Sequence, residues 1–303
     1  ASFLLVSMVT DRQFIDRVRD AGPSINVDPS SWLAVGGRIV GLATLVVLVT
    51  VGLWGPQTAT ASLTVLFVWA LWRAGYAMTV YLVGNSWPAF NPWRLVAEPV
   101  PISGGVRYPE RLGSWPSLVG LFALVWVEVT TPVTDRPALL ATVIAVYSIL
   151  TTIGAIVFGP TTWFAKADPV SRVFAYFGSI APVQRTATGI DVGLPGWHLV
   201  DGDLVAGWDD VAFVVGLLWL TTYDGFVATP TWEVIVSVPV SVGVPPLLAY
   251  FALVSGGFAL FVVAFVYASR MSRRVANTTL DARRLAFAFA QSLLPIAAGY
   301  HLA

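Results

Sequence analysis

The sequence predicts an all-α integral membrane protein: a polytopic helical bundle of about seven transmembrane helices, with a partial eighth at the N-terminus. Of 303 residues, 56% are hydrophobic and only 11% are charged, whereas an ordinary soluble domain has about 25% charged residues. Mean hydropathy is +0.76. Apolar runs of roughly 20 residues, the length that crosses about 30 Å of hydrocarbon, recur along the chain. We therefore expect residues 1–303 to form one transmembrane domain.

The predicted spans follow from the length of each apolar run. Two runs are short or interrupted: Val211–Phe226 contains Asp224, and Leu285–Ala303 contains Pro295, whose missing N–H predicts a kink. Ser2–Val9 resembles the end of a further span, so we expect both chain ends to be truncated. Five runs are long enough to cross a bilayer outright: Trp32–Trp54, Ala61–Val83, Trp115–Thr131, Pro137–Phe158 and Val244–Ala268.

The distribution of arginine predicts the orientation, because cytoplasmic loops are enriched in basic residues. The loops 55–60 and 227–243 contain no Lys or Arg and should face outward, so residues 10–31 should be cytoplasmic. The partial span Ser2–Val9 then places the N-terminus outside a plasma membrane. The long segment 159–210 should then be cytoplasmic, with Val173–Val183 as a short interfacial amphipathic helix. The arginines that precede or follow spans on the cytoplasmic side are Arg12, Arg17, Arg19, Arg94, Arg107, Arg111 and the five from Arg270 to Arg284.

Composition also excludes several partners and cofactors. The chain has no cysteine, which removes iron–sulfur clusters and thiolate zinc sites. A bis-histidine haem needs two facing histidines, and the second histidine, His198, lies in the long loop. Net charge is zero, so nucleic acid is not an expected partner. The expected partners are the lipid bilayer and other membrane subunits.

Three ionisable residues inside apolar helices are the candidate catalytic and metal-ligating groups: Glu128, Asp224 and His301. Glu128 and Asp224 each lie 13 residues into an outward-running segment, or ~20 Å at about 1.5 Å per residue. His301 has a similar offset, so all three should share the outer third of the bilayer. Arg73 lies near the middle of its span and could reach the same layer.

This shared depth has three interpretations. The cluster could bind a divalent metal such as zinc and activate water. It could be a structural network in which Glu128 or Asp224 neutralises Arg73 and His301 is hydrogen-bonded in the core. It could also be a proton or ion relay. The further polar candidates, for substrate contact or for structure, are Arg73, Asn85, Asn91 and Tyr223; for the two asparagines the alternatives are capping a helix or lining an access path.

A series of short motifs lies in order between residues 55 and 303. They are Gly55–Ala61 (GPQTATA), Phe67–Trp69 (FVW), Gly84–Arg94 (GNSWPAFNPWR), Tyr108–Pro116 (YPERLGSWP), Trp126–Glu128 (WVE), Tyr223–Phe226 (YDGF), Thr229-Pro230, Ser292–Ala297 (SLLPIA) and Tyr300-His301. Together they resemble a family of polytopic membrane proteins commonly labelled fenitrothion hydrolase. This resemblance implies organophosphate ester hydrolysis at a membrane-embedded site. In that family the last helix usually continues to a second histidine about one turn after the position of His301, and this chain ends before it.

The resulting functional prediction is a membrane-embedded, hydrolase-like protein with a carboxylate and histidine metal site near the outer face. Two alternatives come from other classes of protein. The chain could be a non-catalytic accessory or structural subunit of a larger membrane complex, or a conduit for protons or a small solute.

Overall fold

The computed structural model describes residues 24–25, 31–100, 106–185, 189–201, 204–275 and 281–302. Within these ranges the chain is mostly helical, and it also contains a small antiparallel sheet that the sequence did not predict. Its strands are β1 (Ser24–Ile25), β2 (Val183–Arg185) and β3 (Ile190–Val192), with β3 in the centre. Ile25 pairs with Ile190, and Val183 pairs with Val192. The predicted segment Ser2–Val9 lies outside the described residues.

The described helices follow the predicted apolar runs and add short helices between them. In chain order they are α1 (Ser31–Trp54), α2 (Leu63–Val83), α3 (Trp87–Phe90), α4 (Pro92–Ala97), α5 (Trp115–Thr130), α6 (Pro137–Phe158), α7 (Pro160–Lys166), α8 (Pro169–Gly178), α9 (Trp208–Val227), α10 (Pro230–Ser241), α11 (Pro246–Val275), α12 (Ala282–Ser292) and α13 (Leu294–Leu302). Single 3₁₀ turns occur at Ala59–Ala61, Glu110–Leu112 and Trp197–Asp201.

Five of these helices, α1, α2, α6, α9 and α11, are long and apolar enough to span a membrane. Their large apolar side chains are exposed along α1 and α11, which is consistent with a lipid-facing surface. Helix α5 has 16 residues and is a shorter apolar helix. Helix α9 is the most enclosed of the five, with residues buried along most of its length. The predicted short segment Val211–Phe226 is therefore part of a complete 20-residue helix at the centre of the bundle.

Two of the predicted elements that follow α9 differ in the structure. The run Leu285–Ala303 is divided between α12 and α13, which meet at Leu293, so the kink expected near Pro295 is a break between two short helices. Pro295 explains the division, because proline has no N–H to donate to the carbonyl of Gln291. The outward segment 227–243 was expected to be a loop and instead contains α10. Pro230 favours this helix because it occupies the first helical position, where no intrahelical donor is needed.

Helix α2 is irregular in its middle, where residues Phe67–Tyr76 form a π-helix between two α-helical ends. π-Helical segments are rare and are often found at functional sites, because each widened turn misaligns the regular hydrogen bonds. Arg73 lies within this segment. The backbone around Arg73 therefore has a different hydrogen-bond pattern from that of a regular transmembrane α-helix.

Two pairs of short helices fold back against the long ones. Helices α3 and α4 pack on α1, where Cβ atoms added at Gly37 and Gly41 would lie 2.4 Å and 2.1 Å from the carbonyl oxygens of Ala89 and Phe90. These two glycines permit a backbone approach that any side chain would block. After α6 the chain reverses at Gly159, which has a φ of 85°.

Helix α7 then returns along α6, and the Trp163 ring occupies the space beside Gly154. Helix α8 continues into the interior and packs against the end of α2, against α5 and against α13. The helix predicted at Val173–Val183 therefore lies earlier in the chain, and its interfacial position stays a prediction. The helix begins at Pro169, capped by Asp168, and most of its residues are buried within the bundle.

Candidate functional site

The centre of the candidate site is Arg73 on α2, whose guanidinium joins two carboxylates from different helices. Nη1 donates to Oε1 of Glu128 on α5, and Nη2 donates to Oδ2 of Asp224 on α9. The guanidinium carbon also lies 5.1 Å from the centre of the Trp69 ring, one turn earlier on α2. The planar group is thus held on two edges and one face. This is the ion-paired arrangement that the structural interpretation of the sequence described, with both acids on one arginine.

His301 on α13 reaches the same region through the backbone. Its Nε2 lies 2.9 Å from the carbonyl oxygen of Arg73, so the ring N–H donates to that carbonyl. In a regular α-helix the Arg73 carbonyl would accept from the N–H of Ala77, four residues later. Here that N–H donates to the carbonyl oxygen of Ala74 instead. The irregular turn thus brings His301 beside the cluster without placing it on either carboxylate.

The donor set does not fit a divalent metal. In the part of the chain that the structure describes, no group of three or more His, Asp or Glu side chains could hold a metal ion. Glu128 and Asp224 each accept from the guanidinium, a fixed positive charge that repels a second cation. Zinc sites need at least three protein ligands directed at one point. The metal and catalytic roles assigned to Glu128, Asp224 and His301 therefore remain predictions from the sequence.

A pocket of about 320 Å³ opens beside the cluster. Asp224 is the more accessible acid, with 37% of its side chain exposed, whereas Glu128 is 17% exposed. The Arg73 side chain is 30% exposed. The two acids thus differ in their access to the surroundings although they share one cation. The lining residues are Trp69, Arg73, Ala74, Thr221, Asp224, Tyr300 and His301.

The remaining predicted polar residues lie elsewhere. Asn91 caps α4, where its Oδ1 accepts from the N–H groups of Trp93 and Arg94 at 3.0 and 3.2 Å, so the capping interpretation is confirmed for this residue. Asn85 accepts from the N–H of Trp87 at 3.2 Å. Both asparagines therefore serve the chain reversal after α2.

Tyr223 is buried and does not join the Arg73 cluster. Its ring centre lies 5.5 Å from that of Trp219 and 5.1 Å from that of Trp232. These contacts are those of a core aromatic residue. The side chain also borders an apolar groove of about 540 Å³ between α5 and α11. A groove of this kind accommodates an acyl chain as readily as another protein, so it does not favour the accessory-subunit alternative.

Sequence reasoning missed a second polar cluster around Asp168. Asp168 caps α8 through the backbone N–H of Ser171 and accepts hydrogen bonds from the hydroxyl groups of Tyr147 and Thr151 on α6. The Ser171 hydroxyl oxygen accepts from the indole N–H of Trp87 at 3.1 Å. The dipeptides Asn91-Pro92 and Asp168-Pro169 were the available signal, since each is a cap residue followed by a proline at the first helical position. Their two helices are too short to register as apolar runs.

Comparison with known protein families, curated proteins and solved structures finds no match to this chain. The fold supports the class of nearly all-α proteins, with five helices of membrane-spanning length and composition among the residues that the structure describes. The resemblance to fenitrothion hydrolases thus stays a prediction from the quoted motifs. Any function must be argued from the geometry of the site.

Proposed function

We propose that this chain is a membrane-inserted protein whose Arg73 cluster binds and releases a proton, as in a proton conduit or a proton-coupled carrier. The observation that carries the proposal is the sharing of one guanidinium between the carboxylates of Glu128 and Asp224. Ionisable side chains within transmembrane helices are costly, and where they persist they commonly mark ion paths and proton relays.

Charge balance explains why such a cluster would exchange a proton. One guanidinium compensates one carboxylate, so two ionised acids leave an uncompensated negative charge among apolar helices. Removing that charge by protonation avoids much of the cost of keeping an unpaired ion away from water. Either acid can keep its contact with Arg73 while the other holds the proton, because the two contacts use different guanidinium nitrogens.

The pocket makes one of the two acids more accessible to an incoming proton than the other. Asp224 borders the pocket, whereas Glu128 is the more buried acid and does not line it. A proton arriving through the pocket would meet Asp224 first, because Glu128 does not line the pocket. His301 also lines the pocket.

The backbone supports a functional role over a purely structural one. A structural ion pair can be built on a regular helix, whereas Arg73 lies in a ten-residue π-helical segment that departs from the favoured hydrogen-bond pattern. Ester hydrolysis keeps only the support of the motif resemblance, because the cluster does not fit a metal that would activate water.

Proton flux in liposomes tests this proposal. Purified protein would be reconstituted into vesicles that contain a pH-sensitive dye, and a potassium gradient with valinomycin would drive protons inward. We expect flux well above that of protein-free vesicles, reduced at least about tenfold by Asp224→Asn. That variant leaves Arg73 balanced by Glu128, so its fold should persist.

The matched control is Glu233→Gln, which removes an exposed acid at the start of α10 outside the cluster. This variant should carry the same flux as the unmodified protein. Flux in the unmodified protein no greater than in empty vesicles would contradict the proposal, as would undiminished flux in Asp224→Asn.

A further inference from the structure

A second acid, Asp168, lies in the interior away from the Arg73 cluster. Its side chain is fully buried. Tyr147 and Thr151 donate hydrogen bonds to its Oδ1, the latter at 3.0 Å, and the backbone N–H of Ser171 donates to its Oδ2 at 2.8 Å. Tyr147 lies ten residues into α6, or about 15 Å along it at roughly 1.5 Å per residue. The carboxyl group is therefore held near the middle of a helix long enough to span a membrane.

Within the described residues, no ion pair includes Asp168. The neighbouring cations are engaged elsewhere or exposed: Arg94 on α4 pairs with Glu98, Arg172 on α8 pairs with Asp210, and Lys166 on α7 is exposed. The elements packed around Asp168 present the following titratable or charged groups: Tyr147 from α6, Arg94 from α4, Lys166 from α7, Arg172 and Tyr176 from α8, Glu128 from the far end of α5, Arg73, Tyr76 and Tyr81 from α2, Asp209 and Asp210 from α9, and Tyr300 and His301 from α13.

Capping α8 does not by itself require a carboxylate. Asn91 caps the neighbouring helix α4 with an amide oxygen, also with proline at the first helical position. The two caps meet at Ser171, whose Oγ lies 3.4 Å from Nδ2 of Asn91. The same interior thus contains one cap that cannot take up a proton and one that can. Asparagine and aspartate cap helices about equally well, so the acid at position 168 calls for another explanation.

We infer that Asp168 is a proton-binding site in the interior of the bundle. When ionised, the carboxylate accepts the three hydrogen bonds described above. When a proton binds to Oδ1, forming an O–H bond with no other bond broken, that group donates to the hydroxyl oxygen of Tyr147, while Oδ2 keeps the bond from Ser171. Both states are hydrogen-bonded, and burial without a cation disfavours the charged one.

The site stands on this geometry alone. A role for Asp168 in moving protons across the bundle rests on the proposed function of the Arg73 cluster. Asp168 would then be a second proton-binding site on the same path. The two clusters share no residue. They can therefore be tested separately.

Infrared difference spectroscopy of the reconstituted protein between acidic and alkaline buffers tests the site. A protonated, buried carboxyl group gives a C=O band that shifts in D₂O. We expect one such band to disappear in Asp168→Asn and to remain in Asp224→Asn. Asparagine keeps the acceptor for the Ser171 N–H, as Asn91 shows at the adjacent helix, so the fold should be retained.

A second variant, Tyr147→Phe, keeps the acid and removes one donor to its ionised form. The band should then appear at higher pH, with proton affinity raised about fivefold, because the ionised carboxylate loses a stronger hydrogen bond than the protonated group, which also loses Tyr147 as its acceptor. Identical carboxyl bands in Asp168→Asn and the unmodified protein would overturn the inference. If Asp168→Asn fails to fold, an unshifted band in Tyr147→Phe would overturn it. Absence of proton flux in the unmodified protein would instead count against the proposed function. The infrared band would still test whether Asp168 binds a proton.

Discussion

Replacing Arg73 by methionine tests the electrostatic account of the site most directly. Methionine approximates the length of the arginine stem but cannot compensate the carboxylates of Glu128 and Asp224, which would face each other unpaired. Removing one partner of a fully buried ion pair costs about 3–5 kcal/mol. Here solvent screening reduces that cost, because the Arg73 side chain is 30% exposed and that of Asp224 is 37% exposed.

We therefore expect a loss of about 2–3 kcal/mol in the free energy of unfolding. For a chain of this size that loss lowers the apparent melting temperature by roughly 3–5 °C. Intrinsic fluorescence from the 13 tryptophans provides the assay in detergent or nanodiscs. Glu128→Gln alone should cost less than Arg73→Met, because it leaves Arg73 paired with Asp224.

The triple variant Arg73→Met, Glu128→Gln, Asp224→Asn contains no charge at the cluster. It should recover at least half of the loss, since replacing all members of a buried ionic group is far less costly than removing one. A melting temperature unchanged in Arg73→Met, or a triple variant no more stable than Arg73→Met, would refute this account of the cluster.

Two further predictions concern packing and capping. A Cβ atom added at Gly257 would lie 2.1 Å from the Trp219 ring, whereas one added at the adjacent Gly256 would meet no atom within 4 Å. Gly257→Ala should therefore lower the melting temperature. Gly256→Ala should raise it slightly, because alanine favours a helix over glycine by about 1 kcal/mol. Equal effects in the two variants would show that the Trp219 contact is not formed. At Asp168, alanine should destabilise the protein by at least about 1 kcal/mol more than asparagine, because only asparagine retains the cap of α8; thermal unfolding of the two variants side by side decides this, and equal stability would contradict the capping role.

The spanning helices could be predicted because their signal is local. Each apolar run carries its own length and composition, and the runs at Trp32–Trp54 and Pro137–Phe158 agree with the structure at both ends. The form of the predicted span Leu285–Ala303 could not be predicted in the same way. An apolar run with a proline inside it is compatible with a kinked helix or with two helices, and packing against neighbouring elements selected α12 and α13.

Local signals also failed for short helices. The ten residues of α8 have an amphipathic pattern that is equally typical of an interfacial helix and of a helix buried among polar partners. The partners are Tyr147 and Thr151, about 20 residues earlier in the chain. Hydrophobic periodicity contains no information about them.

For the candidate site, the sequence by itself determined that Arg73, Glu128, Asp224 and His301 are ionisable groups in apolar helices at similar expected depth. Only the tertiary structure decided that both acids bind one guanidinium and that His301 contacts a backbone carbonyl. The pairs are separated by 55, 151 and 228 residues. Apolar length is a property of each segment, whereas the choice of ionic partner depends on how distant helices are rotated and packed against one another.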